Sequence, residues 1–329
     1  VSGLTAFVTG ANGFVGSHLV RALIGHGHTV RALVRPNADR SRVHDLPLEW
    51  VTGDLDDHAA LEQGCQGAQW IIHVAGRTKA PDFESYRHAN ATGTANVLAA
   101  ALKAGPQLER FVYVSSLAVG GPSTNGHPRQ ETDPEAPITP YGQSKLEGEK
   151  LVRDHADRLP ITVIRPPAVY GPGDTMTLPL FQAVKWHLKP IFGSQPARVT
   201  MVHINDLVDG LYLAAAAKEA VGEVFYIAET TEYDLSEVWN IIQAALDTWA
   251  VRVPIPRPAL ISLATVCEWA GKVGGFTPKL NRAKARDLLQ KDWTCSSAKA
   301  ARLLGYESRV PFARGARQTI EWYRAMGWL

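Results

Sequence analysis

Tyr141 and Lys145 stand four residues apart in the run ITPYGQSK, residues 138–145. Thr139 suits a helix N-cap and Pro140 the first helical position, so the two side chains fall on one helix face. A free tyrosine phenol titrates near ~10 and is a weak base at neutral pH. An ammonium one turn away favours the phenolate and lowers that value. The phenol can then exchange a proton with a carbonyl or alcohol oxygen while hydride moves at the carbon. Tyr-x-x-x-Lys recurs often by chance, and the chemistry needs a hydride carrier elsewhere in the chain.

The carrier's signature lies near the start. Leu4 to Thr9 is a short apolar run that reads as a buried strand, and Gly10-Ala-Asn12-Gly13-Phe14-Val15-Gly16 follows. The pattern Val15, Leu19, Leu23 then reads as a helix. Strand, glycine turn and helix in this order cradle a pyrophosphate on the free N–H groups of the helix start. The spacing is Gly-x-x-Gly-x-x-Gly, a variant of the usual dinucleotide fingerprint. A second strand, Thr29 to Val34, ends in Arg35 with no carboxylate until Asp39. An arginine there accommodates the 2′-phosphate of NADP, where NAD would call for an acidic residue; Arg31 and Arg40 are possible helpers. Trp50 to Leu55 reads as a third strand whose Asp54 could reach an adenine amino group beside Leu55. Trp70 to Gly76 reads as a fourth, ending in Val74, Ala75 and Gly76, where backbone must pass close to the cofactor. His73, inside that apolar run, reads as a core histidine.

A helix is expected from Tyr86 to Ala104, carrying Asn90 in either a structural or a catalytic role. Arg110 to Val114 is a fifth strand ending in Ser115-Ser116, and Gly120 to Pro140 a long loop beside the site. Ile161 to Arg165 is a sixth strand, with Pro166 next to the cofactor. Alternating strands and helices predict an α/β doubly wound parallel sheet with catalytic groups at the strands' carboxyl ends. Beyond residue 169 the alternation fails. Thr175 to Pro196 reads as a helix with loops, Val199 to Ile204 as a strand, Leu207 to Ala217 as a helix and Glu223 to Ala228 as a strand. Leu235 to Ala250 reads as a helix with Val238, Ile241, Ile242 and Ala245 on its inner face, and Val253 to Pro258 as a turn. Residues 1–169 with about 202–228 are expected to bind the dinucleotide. About 170–201 with 229–329 are expected to form a smaller, mainly helical substrate-binding cap.

Bulk properties bound the function. The 329 residues are 45% hydrophobic and 20% charged, with a formal net charge of +2, as in ordinary globular proteins. The absence of a long basic run argues against nucleic acid as the main partner. Cys65, Cys267 and Cys295 are far apart and odd in number. They show neither a disulfide framework nor metal-ligand spacing, so no metal and a reducing, cytoplasmic location are expected. The chain enters a strand almost at once, and no signal peptide is expected. The longest apolar run, Pro258 to Ala270, falls short of the ~20 residues that span a bilayer, and no membrane partner is expected.

Thr9-Gly10-x-x-Gly13-x-x-Gly16, Gly53-Asp54, Ser116, Tyr141-x-x-x-Lys145 and Arg165-Pro166 to Gly173 together resemble the extended short-chain dehydrogenase/reductase family, over nearly the whole chain. The resemblance implies a Rossmann fold. It also implies that Ser116 holds the substrate oxygen, Tyr141 transfers the proton, and Lys145 lowers the tyrosine pKa and contacts the nicotinamide ribose. Ser116 matches the family serine better than Ser115, because it opens Ser-x-x-Val and lies 25 residues before the tyrosine. Nucleotide-sugar members usually carry an asparagine after the sixth strand and an arginine three residues before the histidine of a Val/Ile-His pair. This chain has Pro166-Pro167-Ala168 in the first place and Thr200 in the second, with Arg198 displaced. The motifs are closer to the hydroxysteroid dehydrogenase and ketone- or aldehyde-reductase branch, and Trp186, Phe192, Met201 and Trp269 could line an apolar pocket. The expectation is an NADP-preferring (or NAD-using) oxidoreductase that interconverts an alcohol and a ketone or aldehyde on a small apolar molecule. An epimerase or dehydratase with retained NAD is the alternative. A non-catalytic dinucleotide sensor is a third, from another class. Family members commonly dimerise through the helices that here would span Ser85 to Ala104 and Tyr141 to His155, which implies a homodimer.

Overall fold

The computed structural model describes residues 3–124, 126–193, 197–274, 276, 278 and 280–329, with the backbone only at 272. Six strands with interleaved helices build the first half. These are β1 (Thr5–Thr9), α1 (Phe14–Gly25), β2 (Thr29–Val34), β3 (Glu49–Thr52), α2 (His58–Cys65), β4 (Trp70–His73), α3 (Phe83–Arg87), α4 (Gly93–Ala101), β5 (Arg110–Val114), α5 (Leu117–Gly120), α6 (Pro140–Arg153) and β6 (Ile161–Arg165). The second half adds β7 (Ala168–Tyr170), α7 (Leu178–Lys185), β8 (Leu188–Phe192), β9 (Arg198–His203), α8 (Ile204–Ala216) and β10 (Val224–Tyr226). β11 (Glu232–Asp234), α9 (Leu235–Leu246), β12 (Val251–Ile255), α10 (Arg257–Gly274), α11 (Arg282–Leu288), β13 (Asp292–Trp293), α12 (Ala298–Leu304) and α13 (Phe312–Ala325) complete it.

One seven-stranded sheet runs in the order β10-β6-β5-β4-β1-β2-β3, with every pairing parallel. This is the expected doubly wound Rossmann sheet. Its strands are apolar without alternation because helices cover both faces. Successive residues therefore enter opposite cores: Val8, Ile72, Val112 and Ile164 join one cluster, and Phe7, Ile71, Phe111 and Val163 the other. Strand order reverses between β1 and β4, which opens the crevice at their carboxyl ends where the glycine loop lies.

Several local expectations change. The helix expected over 86–104 is broken: α3 ends at Arg87, a π-helical turn spans His88–Thr92, and α4 begins at Gly93. The turn expected at Val253 to Pro258 is instead the end of β12, through Ile255, followed after Pro256 by the start of α10. β12 pairs in parallel with β8, with Pro254 opposite Ile191 and Val253 opposite Pro190. Prolines are tolerated because this two-stranded ribbon has an outer edge on each strand. β7 and β8 were not foreseen, and within the stretch expected to run to Pro196, residues 194–196 lie outside the described residues. α9 stops at Leu246, where Asp247 takes a left-handed conformation (φ 52°). Val238, Trp239, Ile242 and Leu246 are buried, and Ile241 and Ala245 of the expected face pack partly buried against the same core.

Tyr170, Phe181, Met201, Trp239, Phe312 and Tyr323 form a third core, built by elements outside the large sheet. β10 returns to that sheet beside β6, and α8 packs on its α1 side with Leu207 and Leu211 in the same core as Val8. Ala300, Leu304 and Tyr306 also join that core. A division of the chain into cofactor and cap units, which we propose, therefore assigns 298–306 to the sheet side.

Candidate active site

The glycine loop is shaped by close backbone approach. Gly10 has φ +73°, and a Cβ there would sit 2.8 Å from the Ala75 backbone nitrogen at the end of β4. A Cβ at Gly16 would meet the Gly10 carbonyl oxygen at 2.0 Å. The turn thus lies directly on the strand end that carries Val74, Ala75 and Gly76. α1 opens at Gly13 with no side-chain cap and no acidic residue in its first turn, so its N–H groups and dipole can receive an anion. Phe14 and Val15 are half-buried and Gly13 is exposed. Asn12 Nδ2 donates to the Asp39 carbonyl at 2.9 Å, which ties the loop to the segment after β2. These features fit a dinucleotide's pyrophosphate.

The arginines near β2 divide. Arg31 is held by Glu49 at 2.9 Å and by the Gln66 carbonyl, and Arg40 lies 4.6 Å over the Trp50 ring. Both of these possible helpers already have partners. Arg35 is exposed and, among the described residues, pairs with no carboxylate. Asp54 follows β3 and accepts from the Asp56 backbone at 2.9 Å. Leu55 is half-buried, and the Leu55 carbonyl accepts from Asn96 Nδ2 at 2.8 Å.

α6 begins as foreseen: Thr139 Oγ1 accepts from the Gly142 N–H at 3.1 Å, with Pro140 in the first turn. Lys145 is buried. Its Nζ donates to the Val114 carbonyl at 2.8 Å and lies 4.1 Å from the Tyr113 ring centroid. Burial pulls its pKa down to about 7, against the opposing field of Glu149. Tyr141 is half-buried beside Ser116. Its phenol is held above its ordinary value, because burial outweighs the hydrogen bond from the Ser116 hydroxyl, which pulls the other way. The expected lowering by Lys145 is therefore not the dominant effect on the phenol here.

The two serines after β5 face different groups. Ser115 Oγ donates to Glu149 Oε2 at 2.6 Å in the core. Ser116 caps α5 by accepting from the Ala118 N–H at 3.1 Å, which leaves its hydroxyl proton for Tyr141. Pro166 is buried, and its carbonyl accepts from the Leu117 N–H at 2.8 Å, which fixes α5 and with it Ser116.

Two residues support the site: Asn90, in the structural role that was one of the two expected for it, and Glu149, which sequence reasoning missed. Asn90, on the π turn, accepts from the Arg77 N–H at 2.7 Å and donates from Nδ2 to the Arg77 carbonyl and Ser144 Oγ. It thereby joins the segment after Gly76 to the helix of Tyr141 and Lys145. Glu149, fully buried one turn beyond Lys145, takes Arg165 through Nε at 3.1 Å and Nη2 at 2.5 Å. The second was open to the helical spacing Tyr141, Lys145, Glu149. His73 is a core residue as expected: it bridges Thr9 Oγ1 at 2.7 Å and Thr94 Oγ1 at 3.0 Å. Thr94 donates to the Asn90 carbonyl, so His73 Nε2 is the donor and Nδ1 accepts from Thr9.

The candidate pocket residues do not gather. Met201 belongs to the third core and Phe192 packs beside Leu260, while Trp186 and Trp269 are about two-thirds exposed, at 65% and 66%.

Residues 6–228 match the family model described as the NAD dependent epimerase/dehydratase family. The chain belongs to that family. It is an enzyme of the extended short-chain dehydrogenase/reductase type, and similar to proteins of differing chemistry within it. It is 37% identical to a ceramide reductase of Caulobacter vibrioides, covering 98% of this chain and 95% of that one. It is 31% identical to 4-hydroxy-2-methyl-3-oxo-4-farnesyl-3,4-dihydroquinoline-1-oxide ketoreductase of Stigmatella aurantiaca, over 95% and 94%. It is also 31% identical to a UDP-glucose 4-epimerase of Vibrio cholerae, over 75% and 78%. Among the described residues no helix of this epimerase/dehydratase family member is long and apolar enough to cross a membrane.

Proposed function

We propose that the enzyme is an NADP-preferring oxidoreductase that interconverts an alcohol and a ketone or aldehyde on an apolar small molecule. The observation that carries this choice within the family is the state of β9. Thr200 is buried, its Oγ1 accepting from the Cys295 N–H at 3.2 Å. Arg198 is taken by Glu232 at 3.1 Å and Asp292 at 3.3 Å. Neither offers the free guanidinium fork that grips a diphosphate. The ceramide and farnesyl-quinoline names of two relatives support an apolar substrate.

The glycine loop, Asp54, Leu55 and 74–76 would hold the cofactor, with Arg35 toward a 2′-phosphate. When bound, the cofactor supplies the hydride chemistry. The chain's own residues act on oxygen. Ser116 donates a hydrogen bond to the carbonyl oxygen, and Tyr141 gives it a proton as charge develops there. Lys145, whose charged form the Glu149 field supports against burial, favours the phenolate that remains. α5 and α6 hold these groups before the substrate arrives, so little ordering is left to the reaction. We also propose a homodimer through the helices around 83–101 and α6.

The similarity to UDP-glucose 4-epimerase favours a second reading, epimerisation of a nucleotide sugar with retained NAD. Turnover of long-chain ketones with NADPH, set against UDP-sugar conversion without added cofactor, separates the two. Ketone reduction with exchangeable NADPH is expected. UDP-sugar conversion by protein that co-purifies with NAD would overturn the proposal.

A further inference from the structure

α10 exposes a face that surface helices usually fill with charge. Its inner side, Leu260 and Ala264, is buried with Ala285 of α11. Its outer side carries Leu263, Val266, Trp269 and Val273, which are 54, 60, 66 and 71% exposed, and Phe276 follows at 58%. An amphipathic helix needs only one apolar stripe to join a core. This helix has two, and among the described residues the second is more than half exposed.

Positive charge collects in the chain segment that carries it. Residues 251–291 hold eight of the chain's 34 Lys/Arg but only two of its 32 Asp/Glu. The remainder of the chain is therefore net negative. Arg282 and Lys284 are paired with Glu268 and Asp287. Among the described residues, Arg252, Arg257, Arg286 and Lys291 form no ion pair.

We propose that α10 docks the enzyme on an anionic lipid surface, lying in the plane of the interface with Leu263, Val266, Trp269, Val273 and Phe276 inserted. An exposed apolar stripe with aromatic residues and a basic surround is the pattern of interfacial helices. Eighteen residues extend about 27 Å, but the helix is too polar to cross, so it lies flat. A second copy of this chain suits the face less well, because a two-fold contact would set the same basic segment against itself. The inference amends the expectation of no membrane partner. It is read from the surface alone and goes beyond the substrate assignment.

The test is co-sedimentation of the full chain with vesicles of phosphatidylcholine, with and without phosphatidylglycerol, at low and high salt. Binding to the anionic vesicles only, weakened by salt, is expected. Val266→Glu/Val273→Glu should reduce it by about ten-fold or more, with melting temperature and turnover of a water-soluble ketone unchanged. Should that variant fold poorly, Arg257→Gln/Arg286→Gln should weaken binding and flatten its salt dependence. Wild-type protein that stays in solution with both vesicle types would overturn the proposal, as would variants that bind as well as wild type. A concentration-dependent dimer that Val266→Glu/Val273→Glu dissolves, without vesicle binding, would give the face to a second copy and also overturn it. The vesicle-binding and melting readouts do not depend on which substrate the enzyme turns over; the ketone-turnover control rests on the proposed function.

Discussion

The backbone carbonyl oxygen of Asn90 lies 2.2 Å from the point where a side chain at Gly148 would begin. The π turn and α6 touch through that bare glycine, and α6 carries Tyr141 and Lys145. Gly148→Ala must therefore push the helix off the turn. A loss of about 1–3 kcal/mol is expected by overpacking, together with a fall in kcat, read by urea unfolding and steady-state kinetics.

Ser115 and Ser116 should separate cleanly. Ser116→Ala should lower kcat by about 10²–10³-fold through the lost donor to the reacting oxygen, with little change in melting. Ser115→Ala should leave the chemistry nearly intact but cost about 1–3 kcal/mol, because Glu149 keeps an unmet lone pair in the core. Kinetics and melting curves on the two variants decide it.

Breaking the Glu149–Arg165 pair on one side leaves a buried charge. Glu149→Gln is expected to cost about 3–5 kcal/mol, whereas Glu149→Leu/Arg165→Met should recover much of that loss. Chemical denaturation of the single and double variants measures the difference.

Acid should act through His73. Burial pushes its pKa down to about 3 from 6.5, so the folded state binds fewer protons than the unfolded state between these values. The associated stability is complete above 6.5 and is lost as pH falls toward 3, at up to about 1.4 kcal/mol per unit. A His73→Asn variant should show a shallower decline of stability across that window.

Arg35→Asp should lower kcat/KM for NADPH by about ten-fold or more, the worth of one charge-assisted hydrogen bond, and leave NADH unharmed or improved. Equal effects on both cofactors would remove Arg35 from the 2′-phosphate site.

Tyr141→Phe should abolish turnover, by about 10²–10⁴-fold, and leave NADPH affinity near that of the wild type. Single-turnover kinetics and cofactor titration check both halves.

The sheet was legible because strands buried on both faces read as unbroken apolar runs, as in Phe111–Val114. The Thr139-Pro140 start of α6 was legible because a cap acts within one turn. The break at His88–Thr92 was not, since Asn90 holds it through Arg77 and Ser144, partners set by the fold. β12 was misread because Pro254 signals a turn unless a free strand edge is known. The roles of Ser115 and Ser116 depend on which way the chain faces after β5, a matter settled by Glu149 from another element. Trp186 and Trp269 show the same limit in reverse, since apolar residue type alone does not say which surface a side chain joins.

The place of β10 beside β6 has a consequence for biosynthesis. The outer edge of β6 is completed only by Val224–Tyr226, made roughly 60 residues later, or about 3–12 s at 5–20 residues per second. During that interval the open edge of β6, with Ile161, Val163 and Ile164 in it, stands unpaired on the nascent chain while the first part of the cap emerges. Slow decoding between residues 165 and 226 would prolong the exposure, so the yield of native enzyme should depend on translation speed there and on chaperones that shield strand edges.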